Sequence, residues 1–176
     1  MKKKIVKLVI IMIYFSFFLY LIYYSFDSSN VKTDYYISSK NNYYHKKMIE
    51  IPKINLKLYI EKADDDFSNL NNNLVYYNNF VPDDKIIIFG HSGLGTGTFF
   101  NRLDELKKED KLSLYEENKV YIYQVNRTYT VDKKRVDILK EEEKSKKLLL
   151  VTCHKINKNN RLVVELLQNT VKTIEK

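Results

Sequence analysis

One side chain type in this sequence is a strong nucleophile, and it occurs once. Among the 176 residues the single cysteine is Cys153, which ends the apolar run Leu148–Thr152. A thiolate is a much better nucleophile than a thiol, and a neighbouring imidazolium or guanidinium favours the thiolate form. In an exported chain a lone cysteine has no internal disulfide partner. Cys153 is therefore either incidental or kept for its reactivity.

Two histidines, His91 and His154, lie in the part of the chain that should fold. His91 follows the β-branched run Lys85–Phe89 and Gly90, which indicates a position at the end of a strand. There it could protonate a leaving amine as a general acid, although a lone histidine is more often structural than catalytic. His154 is adjacent to Cys153, but neighbouring side chains on a strand point to opposite faces. We therefore do not expect His154 and Cys153 to act as a pair.

Arg161 is the candidate for binding a carbonyl oxygen or an oxyanion. A guanidinium is permanently charged and only donates hydrogen bonds. Cys153 ends one apolar run, the polar turn Asn157–Asn160 follows, and Arg161 begins the next apolar run. Two strands joined in this way form a hairpin, which would place Cys153 and Arg161 at the same end of a sheet. A surface charge at the start of a strand is the alternative interpretation of Arg161.

All four glycines of the chain fall between residues 90 and 97. A P-loop is excluded because no lysine follows them, and a dinucleotide fingerprint is excluded because Thr98 stands where the third glycine belongs. A nucleophile elbow around Ser92 is excluded because Leu94 replaces its second glycine. What remains is a tightly turned or mobile loop beside His91.

Composition argues against several functional classes. The net charge is +8, but residues 1–26 contribute four lysines and no acid, which leaves only +4 on the remainder. Acidic residues are interspersed throughout, so we expect no nucleic-acid partner. One cysteine and two histidines make a poor metal set, and Asp64–Asp66 is more typical of a solvated turn than of a Ca²⁺ site. We expect no metal and no cofactor.

The N-terminal residues predict a membrane anchor. Residues 1–4 are Met-Lys-Lys-Lys, and Ile5–Phe26 is largely apolar and long enough, at roughly 33 Å, to span a bilayer. The lysines favour a cytoplasmic N-terminus and an extracellular remainder, so we expect a single-pass protein of the cell membrane. Residues 1–26 are thus the cytoplasmic tip and anchor, 27–47 a polar stalk, and 48–176 one globular domain.

Most of the apolar patterning in that domain is of the strand type. The predicted strands are Met48–Ile54, Leu56–Ile60, Lys85–Phe89, Lys111–Tyr115, Lys119–Val125, Thr128–Val136, Lys147–Cys153 and Arg161–Leu167. A short amphipathic helix is predicted over Phe99–Lys108 and a helical turn within Asp137–Lys146. The fold class is therefore mainly β, an antiparallel barrel or sandwich.

The order of these features resembles the sortase family of Gram-positive cysteine transpeptidases. The family motif Thr-Leu-x-Thr-Cys aligns with Leu149–Cys153, where Leu149 replaces the first threonine. His91 follows a strand and a glycine, and Arg161 lies on the strand after the cysteine, as in the family. The segment Phe100–Leu106 matches the family pattern Phe-x-x-Leu-x-x-Leu. Two lysines follow this segment, and then Glu109-Asp110 stands where the family usually has Gly-Asp.

The resemblance implies an eight-stranded β-barrel and a specific reaction. His91, Cys153 and Arg161 would be the catalytic residues, and Thr152 would line the substrate groove. Cys153 would cleave an LPxTG-like sorting signal through a thioacyl intermediate. The protein would then pass to an amine acceptor, such as a peptidoglycan precursor or a pilin lysine. Two alternatives remain open: a membrane-tethered binding module on an inactive barrel, and a cysteine peptidase that mainly hydrolyses.

Overall fold

The structure is a computed structural model that describes residues 7, 11–21, 47–71, 73–77, 79–93 and 98–174. The chain divides into two compact units, residues 1–32 and residues 33–176. In the first unit the described residues 11–21 form a helix with exposed side chains. No helix within the described ranges is both long and apolar enough to cross a membrane. Much of the predicted anchor, and nearly all of the predicted stalk, lies outside the described residues.

The second unit is an eight-stranded closed β-barrel. Its strands are β1 Lys47–Ile51, β2 Leu56–Lys62, β3 Leu74–Tyr77, β4 Lys85–Phe89, β5 Lys111–Glu116, β6 Lys119–Asp132, β7 Lys147–Cys153 and β8 Asn160–Thr173. Around the barrel the order is β1-β2-β3-β4-β7-β8-β6-β5. The predicted mainly-β barrel is confirmed.

The expectation of a purely antiparallel sheet is wrong at two places. The pairs β2–β3 and β4–β7 are parallel, whereas the other neighbours around the barrel are antiparallel. Parallel neighbours need a long crossover rather than a tight turn. The chain makes β5 and β6 on the far side of the barrel before β7 returns beside β4. The pairing of β4 with β7 brings the segment that carries His91 next to the segment that carries Cys153.

The number of predicted strands is right, but two of the assignments are not. The predicted strands Lys119–Val125 and Thr128–Val136 are one strand, β6, with an irregularity in its pairing between Val125 and Arg127. The strand β3 was not predicted, because its apolar run has only four residues and follows an asparagine-rich stretch.

The predicted helix over Phe99–Lys108 is also wrong. The segment is made of turns and one short 3₁₀ turn, Leu103–Glu105. Its apolar side chains, Phe99, Phe100, Leu103 and Leu106, are nevertheless all buried. The spacing correctly predicted which side chains are buried. It did not predict the secondary structure, because an irregular segment can bury the same positions as an amphipathic helix. The helical turn expected within Asp137–Lys146 is present as the 3₁₀ turn Val136–Leu139.

The barrel wall is apolar on both faces along β4, β7 and β8. One set of side chains fills the barrel interior, including Ile86, Ile88, Leu148, Leu150 and Val164. A second, smaller cluster lies on the outer face, and we call it the outer strip. The outer strip consists of Ile87, Val131, Leu149, Val151 and Val163, with Tyr77, Phe89, Tyr129, Ile138 and Leu139 packed against it. Strands with two apolar faces are buried on both sides.

Candidate active site

Cys153 ends β7 on the outer face of the barrel. Along β7, Leu148 and Leu150 belong to the interior cluster, whereas Leu149 and Val151 belong to the outer strip. Side chains alternate between faces with a period of two, so Cys153 continues the outward set. The thiol is free and half-buried. It is therefore accessible at the end of an apolar surface.

Arg161 lies directly across the hairpin from Cys153. In the antiparallel β7–β8 pair, Cys153 and Arg161 are register partners, as are Val151 and Val163. Directly paired residues project from the same face. The predicted hairpin is thus confirmed, and Cys153 and Arg161 share the outer face. The Arg161 guanidinium donates through Nη1 to the carbonyl oxygens of Lys158 and Asn160, each at 3.3 Å.

His91 is attached to the Cys153 end of β7 by a hydrogen bond on either side. The Gly90 amide donates to the Val151 carbonyl oxygen at 3.2 Å, and the Ser92 hydroxyl donates to the Cys153 carbonyl oxygen at 2.7 Å. On β4 the outward residues are Ile87 and Phe89, so one further step of the alternation directs His91 outward. Within the described part of the chain no hydrogen bond joins the His91 imidazole to the Cys153 thiol. In free enzymes catalytic hydrogen bonds are often long or poorly aligned and tighten only when substrate binds.

Gly90 is required by space rather than by an unusual backbone angle. A Cβ at this position would lie 2.5 Å from Leu74 Cδ2 and 2.6 Å from Phe100 Cδ2. Both neighbours are fully buried. The sequence predicts a tight or mobile loop for the glycine cluster. At Gly90 the glycine instead permits close packing immediately before His91.

Ser92 is a residue whose contribution sequence analysis missed. In the sequence Ser92 is only the centre of an incomplete nucleophile elbow, yet its hydroxyl links the His91 segment to the Cys153 backbone. No local sequence pattern predicts this contact, because Ser92 and Cys153 are brought together only by the parallel pairing of β4 with β7.

Thr152 does not lie where a groove-lining residue should. Its side chain is only 3% exposed, and its hydroxyl oxygen has no hydrogen-bond partner among the described residues. It alternates with Val151 and Cys153, which face outward, so it faces the barrel interior. The expectation that the Thr152 side chain lines the substrate groove does not agree with this placement.

His154 organises the turn between β7 and β8. Its Nδ1 accepts the backbone N–H groups of Ile156 at 3.3 Å and Asn157 at 3.2 Å. Its own amide donates to the Asn160 carbonyl oxygen at 3.0 Å. The imidazole is thus engaged in the turn that leads to Arg161, in line with the expectation that it does not pair with Cys153.

Two groups of side chains cover the outer strip. In the first, three aromatic rings pack together: the centroid of Phe67 lies 5.9 Å from that of Tyr77 and 5.6 Å from that of Phe89. The second consists of Ile138 and Leu139, from the segment between β6 and β7. The strip beneath them is almost fully buried, since none of its five residues is more than 9% exposed.

The end of the outer face opposite Cys153 is charged. Glu165 on β8 is 6% exposed and receives hydrogen bonds from Arg127 and Asn126. Burial acts to raise the pKa of Glu165, but these hydrogen bonds outweigh it and hold the pKa below its usual range. Glu142 lies between the ammonium groups of Lys147 and Lys85, and hydrogen bonds from these two groups lower its pKa.

The described ranges contain no group of three His, Cys, Asp or Glu side chains that could hold a metal ion. The candidate residues themselves offer a thiol, an imidazole and a guanidinium. Together these groups can supply a nucleophile, a proton donor and acceptor, and a cation for a developing oxyanion.

Comparison with known proteins assigns this barrel to a family. The Sortase domain family matches residues 49–167, which include β2 to β7 in full and most of β1 and β8. The chain belongs to the sortase family, and the predicted enzyme class, a sortase-type cysteine transpeptidase, is confirmed. Sortases act on proteins that carry a sorting signal and transfer them to an amine acceptor.

Solved structures share the fold. Sortase A of Listeria monocytogenes is 21% identical, with a TM-score of 0.66, and the match covers 74% of this chain and 90% of that one. Sortase C1 of Streptococcus agalactiae is 27% identical, with a TM-score of 0.63 and coverages of 75% and 71%. Sortase C-1 of Actinomyces oris is 25% identical, with a TM-score of 0.63 and coverages of 70% and 73%. No curated protein sequence matches this chain.

The two departures from the family pattern now have a structural account. Leu149, in place of the first motif threonine, is an outer-strip residue that is 4% exposed. Glu109, in place of the usual glycine, has a φ of 78°, which lies in the left-handed region that glycine adopts readily.

Proposed function

We propose that this protein cleaves an LPxTG-like sorting signal at Cys153 and transfers the acyl product to an amine. The observation that carries the proposal is the pairing at one barrel end. Cys153 is the register partner of Arg161, and hydrogen bonds from Gly90 and Ser92 tie the His91 segment to the end of β7.

The substrate would lie extended beside the outer strip, with its scissile bond at Cys153. From Lys147 to Cys153 the strand rises about 20 Å, and an extended pentapeptide needs about 13–17 Å. Leu149 and Val151 are already buried, so the apolar leucine and proline of the signal would pack against the half-buried side chains that cover the strip, such as Ile138 and Leu139.

The proposed reaction proceeds in two halves. The Cys153 thiol passes its proton to His91, and the resulting thiolate attacks the threonine carbonyl carbon. The Arg161 guanidinium stabilises the negative charge that develops on the carbonyl oxygen. The C–N bond breaks as His91 delivers a proton to the departing glycine amine. An incoming amine then attacks the thioester carbonyl and gives a proton to His91. The new amide forms, and Cys153 is released.

The acceptor amine would belong to a peptidoglycan precursor or to a pilin lysine. The apolar, lysine-flanked N-terminal sequence supports a retained anchor, with the catalytic barrel outside the cell membrane. In that location both the signal-bearing protein and the amine acceptors of the cell wall are within reach.

The test uses the full-length protein in detergent with a quenched Leu-Pro-x-Thr-Gly peptide, with and without an added amine. We expect cleavage that accelerates with amine and a product whose mass includes the amine. Cys153→Ala should be inactive. Arg161→Ala should lose about 10²–10³ in kcat, the usual cost of removing one oxyanion donor, whereas the exposed control Arg135→Ala should stay near wild type.

Two outcomes would point elsewhere. A cleaved product that never contains the amine would make the protein a hydrolase. Failure to cleave any peptide of a sorting-signal library, together with a Cys153 thiol that resists iodoacetamide, would favour an inactive binding module.

A further inference from the structure

A cavity of about 360 Å³ lies on the barrel wall at β6 and β8, away from the candidate catalytic residues. Its lining includes Lys108, Glu109, Gln124, Asn126, Leu167 and Asn169. Leu167 is the register partner of Lys147, the first residue of β7, whereas Cys153 is the last residue of that strand and lies about 20 Å further along it. None of the residues that line the cavity belongs to the outer strip. The cavity is therefore separate from the surface proposed for the sorting signal.

Two irregularities in the β6–β8 pairing bring asparagines to this cavity. On β6 the extra residue is Asn126, which has no register partner on β8. On β8 the extra residue is Asn169, which has no register partner on β6. Such β-bulges redirect side chains and are frequent beside functional sites. The two bulges lie on either side of the Gln124–Leu167 pair, so three carboxamides share one short stretch of the barrel wall.

Glu109 lines the cavity in a strained backbone conformation. Its φ of 78° lies in the left-handed region, which costs free energy in any residue with a Cβ. The backbone is fixed there, because the Glu109 amide donates to the Val125 carbonyl oxygen and the Val125 amide donates to the Asp110 carbonyl oxygen, each at 2.9 Å. Strained residues concentrate at functional sites, where the surrounding structure holds them. A role for the Glu109 carboxylate would explain why this chain departs from the usual glycine.

The cavity presents hydrogen-bonding groups that the protein itself leaves largely unused. Neither Lys108 nor Glu109 forms an ion pair with any residue of the described ranges. Gln124 Nε2 lies 3.5 Å from the Glu109 carbonyl oxygen, which is long for a hydrogen bond. Asn126 donates through Nδ2 to Glu165 at 2.8 Å, and its side-chain oxygen receives no hydrogen bond from the described residues. One ammonium and one carboxylate leave the lining without net charge.

We infer that this cavity binds a short neutral saccharide. Each sugar hydroxyl both donates and accepts, so neighbouring hydroxyls match the Lys108 and Gln124 donors beside the Glu109 and Asn126 acceptors. A neutral ligand is favoured because the lining carries no net charge. The Leu167 side chain is 41% exposed and offers apolar surface to the C–H groups of a sugar ring. The volume of about 360 Å³ lies at the lower end of the range of small-molecule sites, which suits a short saccharide.

The experiment measures binding to the full-length protein in a detergent without a sugar headgroup, by saturation-transfer NMR. The probes are the trimer of N-acetylglucosamine and maltotriose, with glucuronic acid and triglycine as comparators. We expect at least one neutral trisaccharide to bind with a Kd of about 1 mM or below. Glu109→Gly should raise that Kd about tenfold, because a charged acceptor is lost, without lowering the melting temperature. The control Glu117→Gly makes the same change at a φ of 51° in the β5–β6 turn and should leave the Kd unchanged.

Gln124→Leu is an independent variant that removes the amide and keeps a side chain of similar size. It should raise the Kd about threefold or more, the effect of losing one neutral hydrogen bond. Alkylation of Cys153 by iodoacetamide should be unchanged in both variants, and Cys153→Ala should bind the trisaccharide as wild type does, because the two sites are separate. The inference is overturned if neither trisaccharide binds, or if triglycine or glucuronic acid binds more tightly. A wild-type Kd in Glu109→Gly or in Gln124→Leu would also overturn it.

Discussion

A methyl group added at Gly90 should both destabilise the barrel and misplace His91. The new Cβ would lie 2.5 Å from Leu74 Cδ2 and 2.6–2.9 Å from two atoms of the Phe100 ring. Carbon atoms in proteins do not approach this closely, and neither neighbour can move freely, because both are at most 1% exposed. Overpacking of a well-packed site costs about 1–3 kcal/mol. For a chain of this size the melting temperature should fall by roughly 2–12 °C.

The same substitution should also slow catalysis. The Gly90 amide holds the end of β4 to the Val151 carbonyl oxygen, so relief of the clash must shift the chain just before His91. A displacement of about 1 Å at a catalytic group can lower the rate by about 10²-fold. We therefore expect kcat of Gly90→Ala to fall at least tenfold, at a temperature where unfolding curves show the variant to be folded.

A double-mutant cycle tests whether the clash itself causes these losses. Leu74→Ala removes one of the contacting side chains and opens space into which the Phe100 ring can move. Gly90→Ala should then cost less in the Leu74→Ala background than in wild type, with a coupling of about 0.5–3 kcal/mol between these neighbours. An additive cycle, or a Gly90→Ala variant with wild-type melting temperature and kcat, would refute this reasoning.

Three further substitutions test other parts of the site. Ser92→Ala should lower stability by about 1 kcal/mol and reduce kcat, because the hydrogen bond from the Ser92 hydroxyl to the end of β7 is lost. The control Ser68→Ala, which removes an exposed hydroxyl, should leave kcat unchanged. The pKa of Glu165 is lower in the folded state than its unfolded value of about 4.3, so its contribution to stability is complete above about pH 4.3 and is lost as the pH falls through the folded-state pKa. The difference in melting temperature between wild type and Glu165→Gln should therefore shrink below about pH 4.3, and a constant difference would contradict the assignment. Glu109→Gly should stabilise the protein by about 0.5–1 kcal/mol in urea unfolding, because glycine accepts φ 78° without strain, while Glu143→Gly, at a residue without positive φ, should not stabilise it.

The local parts of the site were predictable from sequence because the residues involved are close along the chain. Cys153 and Arg161 are separated by one turn, and the alternating runs on either side define a hairpin whose register follows directly. The position of His91 was not predictable in the same way. It depends on the parallel β4–β7 pair, whose strands are separated by two others in sequence. Period-two patterns specify strands but not which distant strand becomes a neighbour.

The inward placement of Thr152 is a second feature that the sequence did not reveal. Both faces of β7 are apolar, so hydrophobicity gives no contrast between the face that packs inside and the outer face. The alternation that separates His154 from Cys153 also places the Thr152 side chain in the interior. A role for Thr152 in substrate binding is implied only by the resemblance to the family motif.

The three candidate catalytic residues are positioned by their inward neighbours more than by one another. Gly90 precedes His91 and is packed against Leu74 and Phe100, Thr152 precedes Cys153 inside the barrel wall, and Leu162 follows Arg161 and packs against the interior cluster. Each outward side chain thus follows or precedes a residue that is packed in the core. Preorganisation by packing needs no hydrogen bond between thiol and imidazole, and none joins them in the described structure. In the proposed reaction the thiol and the imidazole would therefore not have to break a mutual hydrogen bond before the substrate binds.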